Sequence, residues 1–144
     1  MSPVNEAYLV EQFHLMQNYL GRARQLAARP QQEFLGDPFA IDAAIREITV
    51  LFETAHNIAK HPIAANFWKT AGSKAEAFEI LAANNVIPTG LVPSFQAASR
   101  FRNLVTYQTS MVQDVFVYQI LVQHLGDFER YVTHVATWLK QDTP

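Results

Sequence analysis

What most constrains this chain is the spacing of its apolar residues, which keeps the helical period along nearly the whole length. Leu9, Phe13, Met16, Leu20, Ala23 and Ala27 alternate steps of four and three. That spacing aligns them on one stripe of a helix. Ile41, Ile45, Ile48, Phe52, Ala55 and Ala59 repeat it, and so do Tyr118, Leu121, Leu125, Phe128, Val132, Val135 and Leu139. No segment alternates with the period of two that a half-buried strand needs, and there is no internal repeat. The spacing predicts an all-α, up-and-down bundle of about five helices.

Punctuation residues place the expected ends. Ser2-Pro3 suits an N-cap and first turn, and Arg29-Pro30 stops the first helix. Residues 30–37 read as a loop, after which Asp37-Pro38 caps and opens the second helix. Pro62 is expected to stop that helix near Lys60 or His61. In the irregular stretch 63–72, Phe67 and Trp68 are expected to tuck a connecting loop onto the bundle. Ser73-Lys74-Ala75-Glu76 is a capping box for a short third helix, which Asn84 and Asn85 close. Pro88-Thr89-Gly90 turns the chain into a fourth helix, from about Leu91 to Val105, with Phe95, Ala98 and Val105 facing inward. A polar break over 106–110 and a second capping box, Ser110 to Gln113, should introduce one long last helix. Gly126 lies off its stripe and weakens it by about 1 kcal/mol relative to Ala.

Composition narrows the function classes. The 144 residues suit a single domain over 1–144. The absence of cysteine excludes disulfides, thiolate zinc sites and a Cys nucleophile. Eleven basic against thirteen acidic residues exclude a basic nucleic-acid coat but not a local basic patch. Charged residues make up 17%, below the roughly 25% of an ordinary soluble domain. Some surface is therefore expected to be covered by another chain. No apolar run approaches the roughly 20 residues of a membrane span, and Met1 to Glu6 lack the basic start of a signal peptide. A cytoplasmic protein without a membrane partner is expected.

Candidate chemistry is sparse. The sequence holds no phosphate loop, no GxSxG elbow and no HExxH. Glu53 with His56, and Glu11 with His14, have the spacing of half a di-iron motif, but the further inward-facing glutamates it requires are not evident. No metal and no cofactor is expected. The informative cluster runs from Ser99 to Tyr107. Arg100, Arg102 and Asn103 offer donors that suit phosphate oxygens, and Phe101 and Tyr107 offer rings on which a base can stack. The same arginines can instead complement the dipole of a helix end. The residues alone leave both readings open.

Several runs, in order, resemble the HepT-like family of the HEPN superfamily. These are Ile58-Ala59-Lys60-His61, the stretch 72–81 followed by Asn85-Val86-Ile87, Phe101-Arg102-Asn103, Val117 to Leu121, and Asp127-Phe128-Glu129. The resemblance spans about Phe34 to Leu139. It implies a HEPN-like fold, a homodimer, and a minimal nucleotidyltransferase antitoxin of the MntA kind as partner. It also implies metal-independent RNA cleavage by an arginine and a histidine, in a motif of arginine, four to six residues, histidine, one residue and tyrosine. Here Arg102 and Asn103 match the start of the motif. Counted without a gap, Tyr107 takes the histidine position and Thr109 the tyrosine position. A phenol with its ordinary pKa near 10 is a poor base at pH 7.

The resemblance therefore implies a degenerate HepT-like protein that binds a nucleotidyltransferase, RNA or a nucleotide without efficient cleavage. Arg102 is the candidate catalytic residue, and Arg100, Asn103 and Tyr107 are candidates for RNA or nucleotide binding. The alternatives are an active metal-independent HEPN endoribonuclease (a toxin) using Arg102, and a helical adaptor with no ligand site.

Overall fold

A computed structural model describes residues 5–69 and 71–142. Among these the chain forms α1 (Glu6–Ala27), α2 (Gln31–Leu35), α3 (Pro38–Ala65), α4 (Lys74–Ala83), α5 (Val92–Tyr107), α6 (Asp114–Gln123) and α7 (Leu125–Asp142). Two short 3-10 turns, Thr89–Leu91 and Thr109–Met111, precede α5 and α6. The all-α architecture follows the apolar spacing, with seven helices where about five were expected.

α3 is the axis of the bundle and touches every other α-helix. It can do so because its buried residues run from Ala40 to Ala65 and lie on more than one side. Five aromatic residues bind four helices together at its middle. Phe78 of α4 stacks on Phe95 of α5, with centroids 4.4 Å apart. Tyr131 of α7 lies 4.8 Å from Phe95, and Phe52 of α3 lies 5.9 Å from Phe78. Phe128 meets Phe95 edge-on at 5.4 Å. The Tyr131 hydroxyl donates to the Ala55 carbonyl at 2.8 Å. A buried phenol without such an acceptor would be costly, and burial pushes its pKa well up.

Several sequence expectations are corrected. The Ser2-Pro3 start lies outside the described residues; α1 begins at Glu6, and the Asn5 side chain accepts from the Tyr8 amide. The 30–37 loop contains α2, because Phe34 is fully buried beside Tyr118, at 5.1 Å between rings. The Tyr118 hydroxyl donates to the Arg29 carbonyl at 2.7 Å, which ties the end of α1 to α6. Pro62 does not stop α3, which continues to Ala65. Burial of Pro62, Ile63 and Ala65 offsets the helix bond that proline cannot make.

The C-terminus of α3 then closes as a Schellman motif. The Trp68 amide donates to the Ile63 carbonyl and the Phe67 amide to the Ala64 carbonyl. The same motif ends α4, with Asn85 in the left-handed position at φ 62°. In the α4 box, Ser73 accepts from the Glu76 amide, while Glu76 reaches to Gly72 rather than to Ser73. The second box does not form: Gln113 precedes α6 without a side-chain cap.

The long last helix is two helices joined at His124. Gly126, in the first turn of α7, weakens the helix there, and Asp127 holds the joint. Asp127 accepts from Ser94 of α5 at 2.7 Å, pairs with Arg130, and lies 3.3 Å from His124 Nδ1. Burial raises its pKa, but these partners outweigh that and hold it low. The apolar stripe crosses the joint intact, since Leu121, Leu125, Phe128, Val132 and Val135 are all buried.

Candidate functional site

The rotation of α5 decides where its polar residues go. Phe95 and Phe101 are each 1% exposed and anchor one side of the helix in the core. Phe101 is therefore not available to stack on a ligand, contrary to the sequence expectation. Positions 100, 103, 104 and 107 follow the three-four spacing of a single face. Arg100, Asn103 and Tyr107 line a shallow depression with Leu104 and Gln108, and Tyr107 is 75% exposed.

Arg102 points elsewhere. Its Nε lies 2.9 Å from Glu53 Oε1 on α3, an ion pair not aligned as a hydrogen bond. Nη1 lies 3.4 Å from the Asn103 side-chain oxygen. The structure thus brings three of the four candidates to one face and ties the fourth to the α3 side. α5 continues to Tyr107, so neither arginine occupies its last turn. The helix-dipole reading of these arginines falls away.

Glu53 also accepts from Lys74 Nζ at 2.6 Å, so one carboxylate joins α3, α4 and α5. Burial raises its pKa, but the bond and charge of Lys74, followed by Arg102, carry it below the ordinary value. With both oxygens facing cations, Glu53 is poorly placed to bind a metal, and among the described residues no three His, Cys, Asp or Glu side chains converge. Sequence reading saw Lys74 only as part of a capping box and a family run, and Glu53 only as half of a metal motif. Nothing in the spacing of 53, 74 and 102 links them, because the contacts arise only when three helices meet.

His56 lies one turn beyond Glu53. Burial lowers its pKa below 6.5, and Lys60 and Lys74 lower it further. His61, whose ring lies tilted against Tyr8 at 4.2 Å, has its pKa lowered by burial and by Lys60. A histidine with a depressed folded pKa takes up protons more readily when unfolded. Stability from these two is thus complete above the unfolded pKa of 6.5 and is lost as pH falls through the folded values. Denaturant midpoints are expected to fall between pH 7.5 and 5.5, by less in His56→Gln. Equal pH slopes in the two proteins would contradict this assignment.

Among the described residues no helix is long and apolar enough to cross a membrane. A family model described as ribonuclease HepT-like matches residues 16–135. No curated protein matches the sequence. Several solved structures share the fold. A tri-AMPylated HEPN toxin of Shewanella oneidensis in complex with its MNT antitoxin superposes with a TM-score of 0.83 at 20% identity, covering 90% of this chain and 96% of that one. A toxin–antitoxin with AMP-PNP gives a TM-score of 0.84 at 20% identity over 90% and 97%. YutE from Bacillus subtilis, a cytosolic protein of unknown function, gives 0.85 at 13% identity over 99% and 96%.

Proposed function

The chain belongs to the ribonuclease HepT-like family, and from that premise we propose that it is the toxin-type member of a toxin–antitoxin pair. It binds a minimal nucleotidyltransferase of the MntA kind and RNA, and it does not cut RNA efficiently. The observation that carries this reading is Tyr107. Metal-free cleavage of a phosphodiester needs a group that exchanges protons near neutral pH and a cation that stabilises the transition state. Arg102 supplies the cation. Tyr107 stands where the family's histidine would be, open to solvent, and a phenol is a far weaker base than an imidazole. Arg100 and Asn103 can still hold phosphate oxygens on the Tyr107 face, and Arg102 can do so from the α3 side, through charge-assisted hydrogen bonds. Toxin–antitoxin complexes among the structural neighbours support the partner class.

A homodimer completes the proposal. Just after Tyr107, the 3-10 turn exposes Met111 (63%) and the start of α6 exposes Val115 (43%) and Phe116 (41%), and Val122 (48%) continues the strip two turns on. Met111, Val115 and Phe116 border one groove with Leu104. An apolar strip of this kind fits an interface between chains, and a two-fold axis there would bring both α5 helices together. Light scattering at micromolar concentration is expected to give the mass of two chains, and Val115→Arg the mass of one. A monomeric wild type would contradict the dimer. In gel-shift assays the wild type is expected to retard RNA, and Arg102→Ala to bind about tenfold or more weakly, the effect of one lost charge-assisted contact. RNA that binds neither protein would contradict the RNA half of the proposal.

The retained Arg102 favours a second reading, an active metal-independent endoribonuclease. That reading requires RNA scission by the wild type that disappears in Arg102→Ala.

A further inference from the structure

A cavity of about 700 Å3 opens between the end of α3 and the start of α4, with His56, Lys60, Phe67, Trp68 and Lys74 in its wall. It is separate from the α5 face that carries Arg100, Asn103 and Tyr107.

Its charge is unusual for this chain. Three of the four lysines in the sequence, Lys60, Lys69 and Lys74, lie within one short stretch. Glu53 is shared between Lys74 and Arg102, and no ion pair among the described residues engages Lys60. The group of Lys60, Lys74, Arg102 and Glu53 thus keeps an excess of positive charge. Partial burial and the two lysines lower the pKa of the half-buried His56 and so favour its neutral form. A neutral imidazole offers one donor and one acceptor.

The second feature is Phe67. It occupies the left-handed position of the α3 Schellman motif, at φ 56°. Glycine is favoured there, and a bulky side chain is strained. The residue is 74% exposed, whereas the neighbouring Trp68 rests against Trp138 at 5.9 Å. Strain of this kind persists at binding sites because function, not folding, requires the residue. An exposed aromatic ring is an awkward residue to keep at a strained position unless it meets something flat.

We propose that this cavity binds a phosphorylated nucleotide, with the phosphate between Lys60 and Lys74 and the base against Phe67. Positive charge alone would suit any anion; the ring beside it selects an anion that carries a π face. The volume falls within the roughly 300–1,000 Å3 of small-ligand sites. The ligand is either a free mononucleotide or the phosphorylated end of an RNA. The proposal does not depend on the toxin reading, because it uses neither the dimer nor Tyr107.

Calorimetric titration of the full-length protein tests it, with AMP, inorganic phosphate, and one short RNA with and without a 5′-phosphate as probes. AMP and the phosphorylated RNA are expected to bind. Comparable affinities indicate a free nucleotide, and a much tighter phosphorylated RNA indicates an RNA end. Lys60→Ala is expected to weaken both by about tenfold or more. Phe67→Gly should raise the melting temperature, weaken AMP binding about tenfold, and leave the affinity for inorganic phosphate unchanged. His56 should titrate at higher pH in the AMP complex, since a bound anion favours the imidazolium. The proposal is overturned if neither AMP nor phosphorylated RNA binds. It is equally overturned if Lys60→Ala and Phe67→Gly leave their affinities unchanged, or if removing the 5′-phosphate has no effect on RNA binding at this cavity.

Discussion

Phe78→Ala is expected to lower the free energy of unfolding by about 3–5 kcal/mol. The ring is fully buried. It stacks on Phe95, meets Tyr131 edge-on at 5.6 Å and lies beside Phe52, so one side chain joins α4 to α5, α7 and α3. Truncation forfeits the transfer free energy of the ring, leaves a cavity that rigid helices on all sides cannot close, and removes three aromatic contacts. Against a native stability of roughly 5–15 kcal/mol this is a large fraction. The melting temperature should fall by on the order of 10 °C. Urea unfolding monitored by circular dichroism checks it: the midpoint should drop with the slope unchanged. A loss below about 1 kcal/mol would mean that the four helices do not meet at this ring.

The second large effect is a gain. Tyr107→His with Thr109→Tyr is expected to raise RNA cleavage by at least about a hundredfold, the lower end of what a positioned general acid–base supplies. Both positions are exposed, so the fold should tolerate the change within about 0.5 kcal/mol. The introduced imidazole would exchange protons near pH 6.5, and Arg102 is already present to stabilise the developing charge. Arg102 and position 107 face different sides of α5, because Arg102 is tied to Glu53 while Tyr107 points outward. Their cooperation therefore uses the second copy of the chain. The gain should disappear when Arg102→Ala is added, and in the monomer produced by Val115→Arg. A double variant that folds, dimerises and stays silent would show that more than the histidine is missing.

These predictions rest on features that were unequally legible in the sequence. The stripes on α1, α3 and α6–α7 are visible because burial selects every third or fourth residue, and the structure buries Leu20, Ile48 and Leu125 as that spacing requires. Asp37 and Ser73 are legible caps because their oxygens act locally, on amides two or three residues away. Pro62 misleads because a local penalty is offset by burial against distant residues. The joint at His124 escapes notice because the stripe runs through it unbroken, and only Ser94, thirty-three residues earlier, shows that Asp127 anchors the turn. The site divides in the same way. Arg102 and the Tyr107 replacement can be read from one short run. The facing of Arg102 toward Glu53, and the arrival of Lys74 at the same carboxylate, depend on the rotation of α5 and the packing of three helices.

The most direct test of the central claim is the RNA-cleavage rate of the purified wild-type dimer, measured over several RNAs without added metal, beside Arg102→Ala. The expected result is RNA that the wild type binds and that neither protein cuts above the protein-free control. Scission by the wild type that is abolished in Arg102→Ala would contradict it and establish the chain as an active ribonuclease.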